Sequence, residues 1–107
     1  MGDDARGRRA VLALALGALA AVVFWPVLGF DFVSYDDWRL VRDNPVLQEG
    51  LSTRALADAF AQPYYLNWIP LTSLSYQLDA ALFGVEPHAF HAVNLALHAA
   101  ATALLFL

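Results

Sequence analysis

The sequence predicts an all-α membrane protein: two transmembrane helices joined by one long extracytoplasmic loop that carries two short interfacial helices, the whole forming part of a larger multi-span bundle. Three observations carry this reading. Hydrophobic residues fill 60% of 107 positions, above the roughly 45 to 50% usual in globular proteins. The excess is gathered into two uninterrupted blocks, residues 10–30 and 89–107. Between them lies an acidic, aromatic segment with helix and turn signals of its own.

The first block contains no charged side chain, and about 20 apolar residues at 1.5 Å each cross the hydrocarbon core. Residues 10–30 therefore read as the first span, preceded by a tail at 1–9. Arg6, Arg8 and Arg9 would also suit the n-region of a signal peptide. The block is too long for an ordinary h-region, however, and it ends in Phe24-Trp25-Pro26-Val27-Leu28-Gly29-Phe30 rather than in small residues.

Orientation follows the placement of arginine rather than the net charge of −4. Three arginines crowd the tail, whereas Arg39, Arg42 and Arg54 are diluted among eight acids in 31–87. The tail is expected in the cytoplasm and the loop in the periplasm. Lysine is absent while alanine and arginine abound, the usage of a GC-rich bacterial coding sequence, which points to a bacterial inner membrane. Cysteine is absent too, excluding disulfides, thiolate metal sites and a thiol nucleophile. Nothing basic enough to hold nucleic acid is present.

Within the loop, Asp36 and Asp37 fall just beyond the membrane exit, and Asn44-Pro45 marks a turn. Between residues 52 and 62, a Ser/Thr cap precedes Leu56 and Phe60 at i, i+4 spacing and Pro63 ends the pattern, predicting a short amphipathic helix. Leu71, Leu74, Leu78 and Leu82 predict a second, with Pro70 in its first turn and Gly84 past its end. It contains Gln77 and Asp79 and is too short to span, so it is expected along the interface or against other spans. Tyr64, Tyr65, Trp68 and Tyr76 suit the headgroup level.

Residues 88–107 read as the second span. His88, His91, Asn94, His98 and Thr102 recur at spacings of three and four, which at about 100° per residue places them on one face roughly 120° wide. A polar stripe at membrane depth wants a protein neighbour or a wet cavity, hence the larger bundle, formed by remaining spans of the same protein or by a partner membrane protein. The chain stops amid apolar residues with no flanking anchor, which reads as truncation.

Two readings fit Asp36 and Asp37. Adjacent carboxylates at an interface raise each other's proton affinity, and such a group serves as a general base toward a hydroxyl. Either acid equally suits a helix cap or a pair with Arg39 or Arg42. Those arginines in turn suit a lipid-linked phosphate, because a guanidinium fork matches phosphate oxygens, or an exposed ion pair. His91 and His98 lie two turns apart, and His88 and His91 lack a third ligand, so no metal site is read here and metal dependence stays open. Asn67 and Trp68, before Pro70, fit an interfacial turn.

Taken in order, Phe32-Val33-Ser34-Tyr35-Asp36-Asp37, Asn44-Pro45, Asn67-Trp68-Ile69-Pro70-Leu71-Thr72, Leu78-Asp79, Leu82-Phe83-Gly84 and His91-Ala92-Val93-Asn94-Leu95-Ala96-Leu97-His98 resemble the N-terminal end of the GT-C glycosyltransferases. The branch resembled is that of the protein O-mannosyltransferases fused to tetratricopeptide repeats, with their bacterial relatives. The resemblance implies an inverting transfer from a polyprenyl-phosphate-linked sugar, with protein Ser/Thr as a candidate acceptor. Asp36 would be the base and Asp37 would tune it, and Arg39, Arg42, Asn67, Trp68 and His91 would contact substrate. The multi-span body and repeats that the family carries are missing from these residues, so the fragment alone is expected to be inactive. The alternative is a small non-catalytic membrane anchor or assembly partner.

Overall fold

A computed structural model describes residues 2–64 and 66–107. Tyr65, one of the aromatics read as interfacial, lies outside the described residues. Five α-helices account for most of the rest: α1 (Gly2–Val23), α2 (Pro45–Gln48), α3 (Thr53–Ala61), α4 (Pro70–Phe83) and α5 (Pro87–Phe106). Among the described residues the only extended pairing is a bridge between Tyr64 and Asn67. The chain divides into two compact units, Met1–Phe30 with His91–Leu107, and Asp31–Phe90.

In the first unit, alanine and leucine give α1 strong intrinsic helicity, and Asp3 and Asp4 in its first turn complement the helix dipole. The helix starts in the tail at Gly2 and ends at Val23, short of the apolar block's end. Pro26 explains the stop: it has no N–H for the ladder and its ring clashes with the preceding turn. The chain continues as a 3-10 turn, Trp25–Gly29, closed by Phe30 N donating to the Val27 carbonyl at 3.1 Å. The apolar block at 10–30 is thus a helix plus a tight turn rather than one helix.

The helix α5 is long and apolar enough to cross a membrane, and among the described residues it alone meets that length and composition test. Its C-terminal part runs antiparallel to α1 through small residues. Ala13 and Gly17 are buried on α1, and a Cβ on Gly17 would lie 3.0 Å from the Ala99 carbonyl oxygen and 3.4 Å from the Ala103 Cβ. Such small-residue contacts let helix backbones approach closely. The Arg9 guanidinium donates to the Leu107 carbonyl, and the Phe24 and His98 rings meet edge to face at 5.1 Å. Leu12, Leu14, Leu19, Leu97, Leu104 and Leu105 are turned outward.

The second unit is built on Val41, Leu47, Ala80 and Phe90, with Phe32, Leu40, Tyr76 and Val85 packed against them. Phe32 and Tyr76 lie against the Phe90 ring at 5.8 and 5.7 Å. Asn44 does more than mark a turn: its Oδ1 accepts the Val46 N–H at 3.0 Å and caps α2, with Pro45 in the first turn. Ser52 caps α3 through a 3.0 Å bond from the Ala55 N–H. Gly84, at φ 74°, ends α4 in a conformation that favours glycine.

The buried faces of α3 and α4 differ from those the apolar spacing picks out. On α3 the buried residues are Ala55 and Ala59, while Leu56 and Phe60 are exposed. On α4 they are Ser73, Gln77, Asp79 and Ala80, while Leu71 and Leu82 are 74% and 65% exposed. Close approach explains the choice. Alanines on α3 bring its backbone within reach of α4, and the Gln77 amide donates to the Ala55 carbonyl at 3.1 Å and to Ser73 Oγ at 3.4 Å.

Candidate functional site

Between Phe30 and α2 the chain forms two successive turns, one tight and one wide. In the first, Tyr35 N donates to the Val33 carbonyl at 2.7 Å, and Asp37 Oδ2 accepts the Val33 N–H at 3.0 Å. The second, Trp38–Arg42, is a single π-helical turn closed by Asp43 N donating to the Trp38 carbonyl at 2.7 Å. Such wide turns are uncommon and often sit at functional positions. Together they line an open hollow of about 410 Å³ with Ser34, Tyr35, Asp36, Trp38, Arg39 and Asp43.

The three acids at this site have different surroundings. Asp37 is engaged by the Val33 amide. Asp43 receives a two-pronged bond from Arg42, Nε to Oδ1 at 2.8 Å and Nη2 to Oδ2 at 3.2 Å. The Asp36 carboxylate forms no hydrogen bond or ion pair with another described residue and opens into the hollow. Adjacent in sequence, Asp36 and Asp37 thus divide into a presented carboxylate and one that fixes the turn.

The two arginines also separate. Arg42 is held by Asp43 and lies over the Trp38 ring, 3.8 Å from its centroid, a cation–π contact that leaves its fork occupied. Arg39 lines the hollow with Asp36. The remaining residues singled out from the sequence lie elsewhere. The Asn67 backbone pairs with Tyr64 in the short bridge, and the Trp68 indole N–H donates to the Phe60 carbonyl at 2.9 Å, completing the C-terminal end of α3. His91 lies in the other unit. Along the rest of the polar stripe, Thr102 Oγ1 bonds back to the His98 carbonyl at 2.9 Å.

Within the same unit, Tyr64 ties the segment before α2 to the residues that precede α4. Its hydroxyl donates to the Leu40 carbonyl and accepts from Asn44 Nδ2 at 2.7 Å. Burial pushes its phenol up to about 12, opposed in part by the Asn44 bond. Tyr76 is also raised, first by burial and then by the charges of Asp37 and Asp79. The sequence marks Asp79 as a polar residue in a leucine pattern and as part of the Leu78-Asp79 motif, without assigning it a place in the site. In the structure it is 4% exposed, its Oδ2 has no hydrogen-bond partner, and burial raises its carboxyl. No group of three His, Cys, Asp or Glu side chains among the described residues is arranged to hold a metal ion.

In sequence the chain is similar to the protein O-mannosyl-transferases. Protein O-mannosyl-transferase TMTC2 of Mus musculus is 32% identical over 101 residues, a match covering 88% of this chain and 12% of that protein. The Homo sapiens TMTC2 protein gives the same figures. Protein O-mannosyl-transferase Tmtc1 of Drosophila melanogaster is 33% identical over 100 residues, covering 84% of this chain and 11% of that protein. The resemblance read from the ordered motifs is borne out, and the chain spans about 12% of the length of the first relatives it matches. No protein-family model and no solved structure matches it.

Proposed function

We propose that this chain supplies the acceptor-activating part of an integral membrane glycosyltransferase that moves a sugar from a polyprenyl-phosphate donor to a hydroxyl, on protein Ser or Thr, with inversion at the anomeric carbon. The observation that carries the reading is the unequal pair: Asp37 fixes the turn while Asp36, whose carboxylate has no partner among the described residues, opens into a hollow that Arg39 also lines. A general base needs a carboxylate within reach of the hydroxyl and not already engaged.

In this reading the acceptor O–H proton passes to Asp36 as its oxygen attacks the anomeric carbon. The bond from that carbon to the phosphate oxygen breaks, and the polyprenyl phosphate leaves with the electron pair. Arg39 is the cation of this segment suited to the departing phosphate, since a guanidinium stabilises charge developing on such oxygens. Arg42, which pairs with Asp43, lies over Trp38 and does not line the hollow, is assigned the shape of the turn.

The apolar exteriors of α1 and α5 support a bilayer setting, because leucines exposed in such number favour lipid over water. On this reading α1 and α5 are the two spans, the arginine-bearing end of α1 is cytoplasmic, and the acidic unit Asp31–Phe90 lies on the periplasmic side of a bacterial inner membrane.

The test is Asp36→Asn in membranes from cells expressing the complete open reading frame, with polyprenyl-phosphate mannose as donor and a Ser/Thr peptide as acceptor. Loss of a base costs roughly 100- to 10,000-fold in turnover, with membrane insertion unchanged. Turnover equal to that of the wild type removes Asp36 from the mechanism.

A further inference from the structure

Two aromatic residues line the hollow, and they are held differently. Tyr35 is 79% exposed, whereas Trp38 is 38% exposed and gripped by its neighbours at backbone and ring. The Asp43 N–H donates to the Trp38 carbonyl at 2.7 Å. The Asp43 carboxylate takes the two bonds from Arg42, at 2.8 and 3.2 Å, and the guanidinium carbon of Arg42 lies 3.8 Å from the centre of the Trp38 ring. Asp43 thus fixes the backbone of Trp38 directly and its indole through Arg42. The brace does not serve the core, since Trp38 is not among the residues packed around Val41, Leu47, Ala80 and Phe90. A side chain ordered before a ligand arrives loses little freedom when one binds.

The surroundings select the class of ligand. An indole that already carries a guanidinium on its π system offers little to a second cation, which leaves a neutral ligand with an apolar face. Sharing the hollow with the ring are the carboxylates of Asp36 and Asp43, the hydroxyls of Ser34 and Tyr35 and the guanidinium of Arg39. Each Asp43 oxygen accepts one bond from Arg42 and keeps a lone pair for another donor. An apolar wall with several polar groups around it, in a hollow of about 410 Å³, matches a pyranose ring, which is apolar on its C–H face and hydroxylated at its rim.

We propose that Trp38 is the wall of the donor-sugar subsite, with Arg42 and Asp43 as its positioning residues, so that the sugar ring lies against the indole between Asp36 and Arg39. This rests on the reading of the hollow as the transfer site. In an inverting displacement the attacking hydroxyl and the departing phosphate lie on opposite faces of the anomeric carbon, so the sugar sits between the base and the cation. Trp38 falls between those two residues in the chain and is the braced surface that shares their hollow.

The experiment follows mannose transfer from polyprenyl-phosphate mannose in membranes from cells expressing the complete open reading frame, for wild type, Trp38→Leu, Trp38→Phe, Arg42→Gln and the Trp38→Leu/Arg42→Gln double variant. Trp38→Leu raises the donor KM roughly 10-fold, the scale of a lost aromatic contact, with the loss carried by KM rather than kcat. Trp38→Phe keeps a flat ring and recovers most of it. Arg42→Gln raises KM roughly 3-fold, the scale of an exposed cation–π contact, and adds nothing in the double variant, because a brace has no effect once its ring is gone. Independently of turnover, the purified wild type shows a saturable change in tryptophan emission with a short-chain polyprenyl-phosphate mannose that polyprenyl phosphate alone does not produce. Trp38→Phe lacks that change, since Trp25 and Trp68 do not line the hollow.

A wild-type KM in Trp38→Leu, an Arg42→Gln effect that adds to that of Trp38→Leu, or an emission change of equal size with polyprenyl phosphate alone each overturns the proposal; the second would mean that Arg42 touches the donor itself. If Trp38→Leu does not accumulate in membranes, Trp38→Phe and the emission decide. Asp36→Asn separates this subsite from the base: wild-type turnover in that variant with the sugar-dependent emission intact removes Asp36 from the mechanism while upholding the sugar wall.

Discussion

The carbonyl oxygen of Ala99 stands 3.0 Å from the point where a Cβ on Gly17 would lie, so α1 and α5 touch at a place that admits no side chain without movement. Backbone cannot yield as a flexible side chain can. Gly17→Leu is expected to lower stability by about 1–3 kcal/mol, the range for overpacking, and Gly17→Ala by less. Gly7, with nothing within 4 Å of its Cβ position, is the control: Gly7→Leu leaves the melting temperature in detergent unchanged, and an equal drop for both leucine variants would locate the effect outside this contact.

The phenol of Tyr64 links Leu40, Asn44 and Tyr76. Tyr64→Phe keeps the ring and removes both hydrogen bonds, leaving Asn44 Nδ2 its 3.3 Å bond to the Leu40 carbonyl. The expected loss is about 1–2 kcal/mol. Because the folded-state value is raised from 10.0 to about 12, the contribution of the neutral phenol is complete below pH 10.0 and disappears as pH climbs toward 12. Denaturant titration of wild type and Tyr64→Phe across that alkaline window checks the sign: the gap between them narrows with rising pH.

Asp79 gives a second linkage with its own window. Its folded-state carboxyl is raised above the unfolded value, so the stability it contributes is fully present below about pH 3.9 and is lost as pH rises through the raised value. Asp79→Asn does not titrate. Relative to wild type, the variant therefore gains stability from acid toward neutral pH, read as a melting-temperature difference that grows with pH; a difference independent of pH would mean that the carboxyl is not raised.

The helices of the acidic unit could be read from their ends. Ser52 before α3, and Pro70 and Gly84 around α4, are capping and stop signals whose chemistry is local, so neighbouring residues suffice to find them. The faces could not be read, because spacing identifies an apolar stripe and not what covers it. Leu71 and Leu82 are exposed, and the contact between α3 and α4 uses Ala55, Ala59, Ser73 and Gln77. Asp36 and Asp37 look interchangeable in a string of letters. Only the turn, by giving Val33 N–H to Asp37, makes them different. The burial of Asp79 could not be read for a related reason: a carboxylate in a short helix is expected to seek water, and its burial depends on long-range packing.

Topology is the prediction on which the donor chemistry depends, since a lipid-linked sugar must meet the hollow on one side of the membrane. Ala57 is exposed on α3, and the chain has no cysteine, so a single Ala57→Cys thiol in this segment reports the location of the acidic unit. An impermeant maleimide is expected to label it in intact cells with permeabilised outer membranes, without lysis of the inner membrane. A thiol at Ala5, in the arginine-bearing end of α1, is expected to label only after lysis, as the arginine placement requires. The reverse pattern would put Asp36 in the cytoplasm, and labelling of both positions without lysis would mean that α1 does not cross.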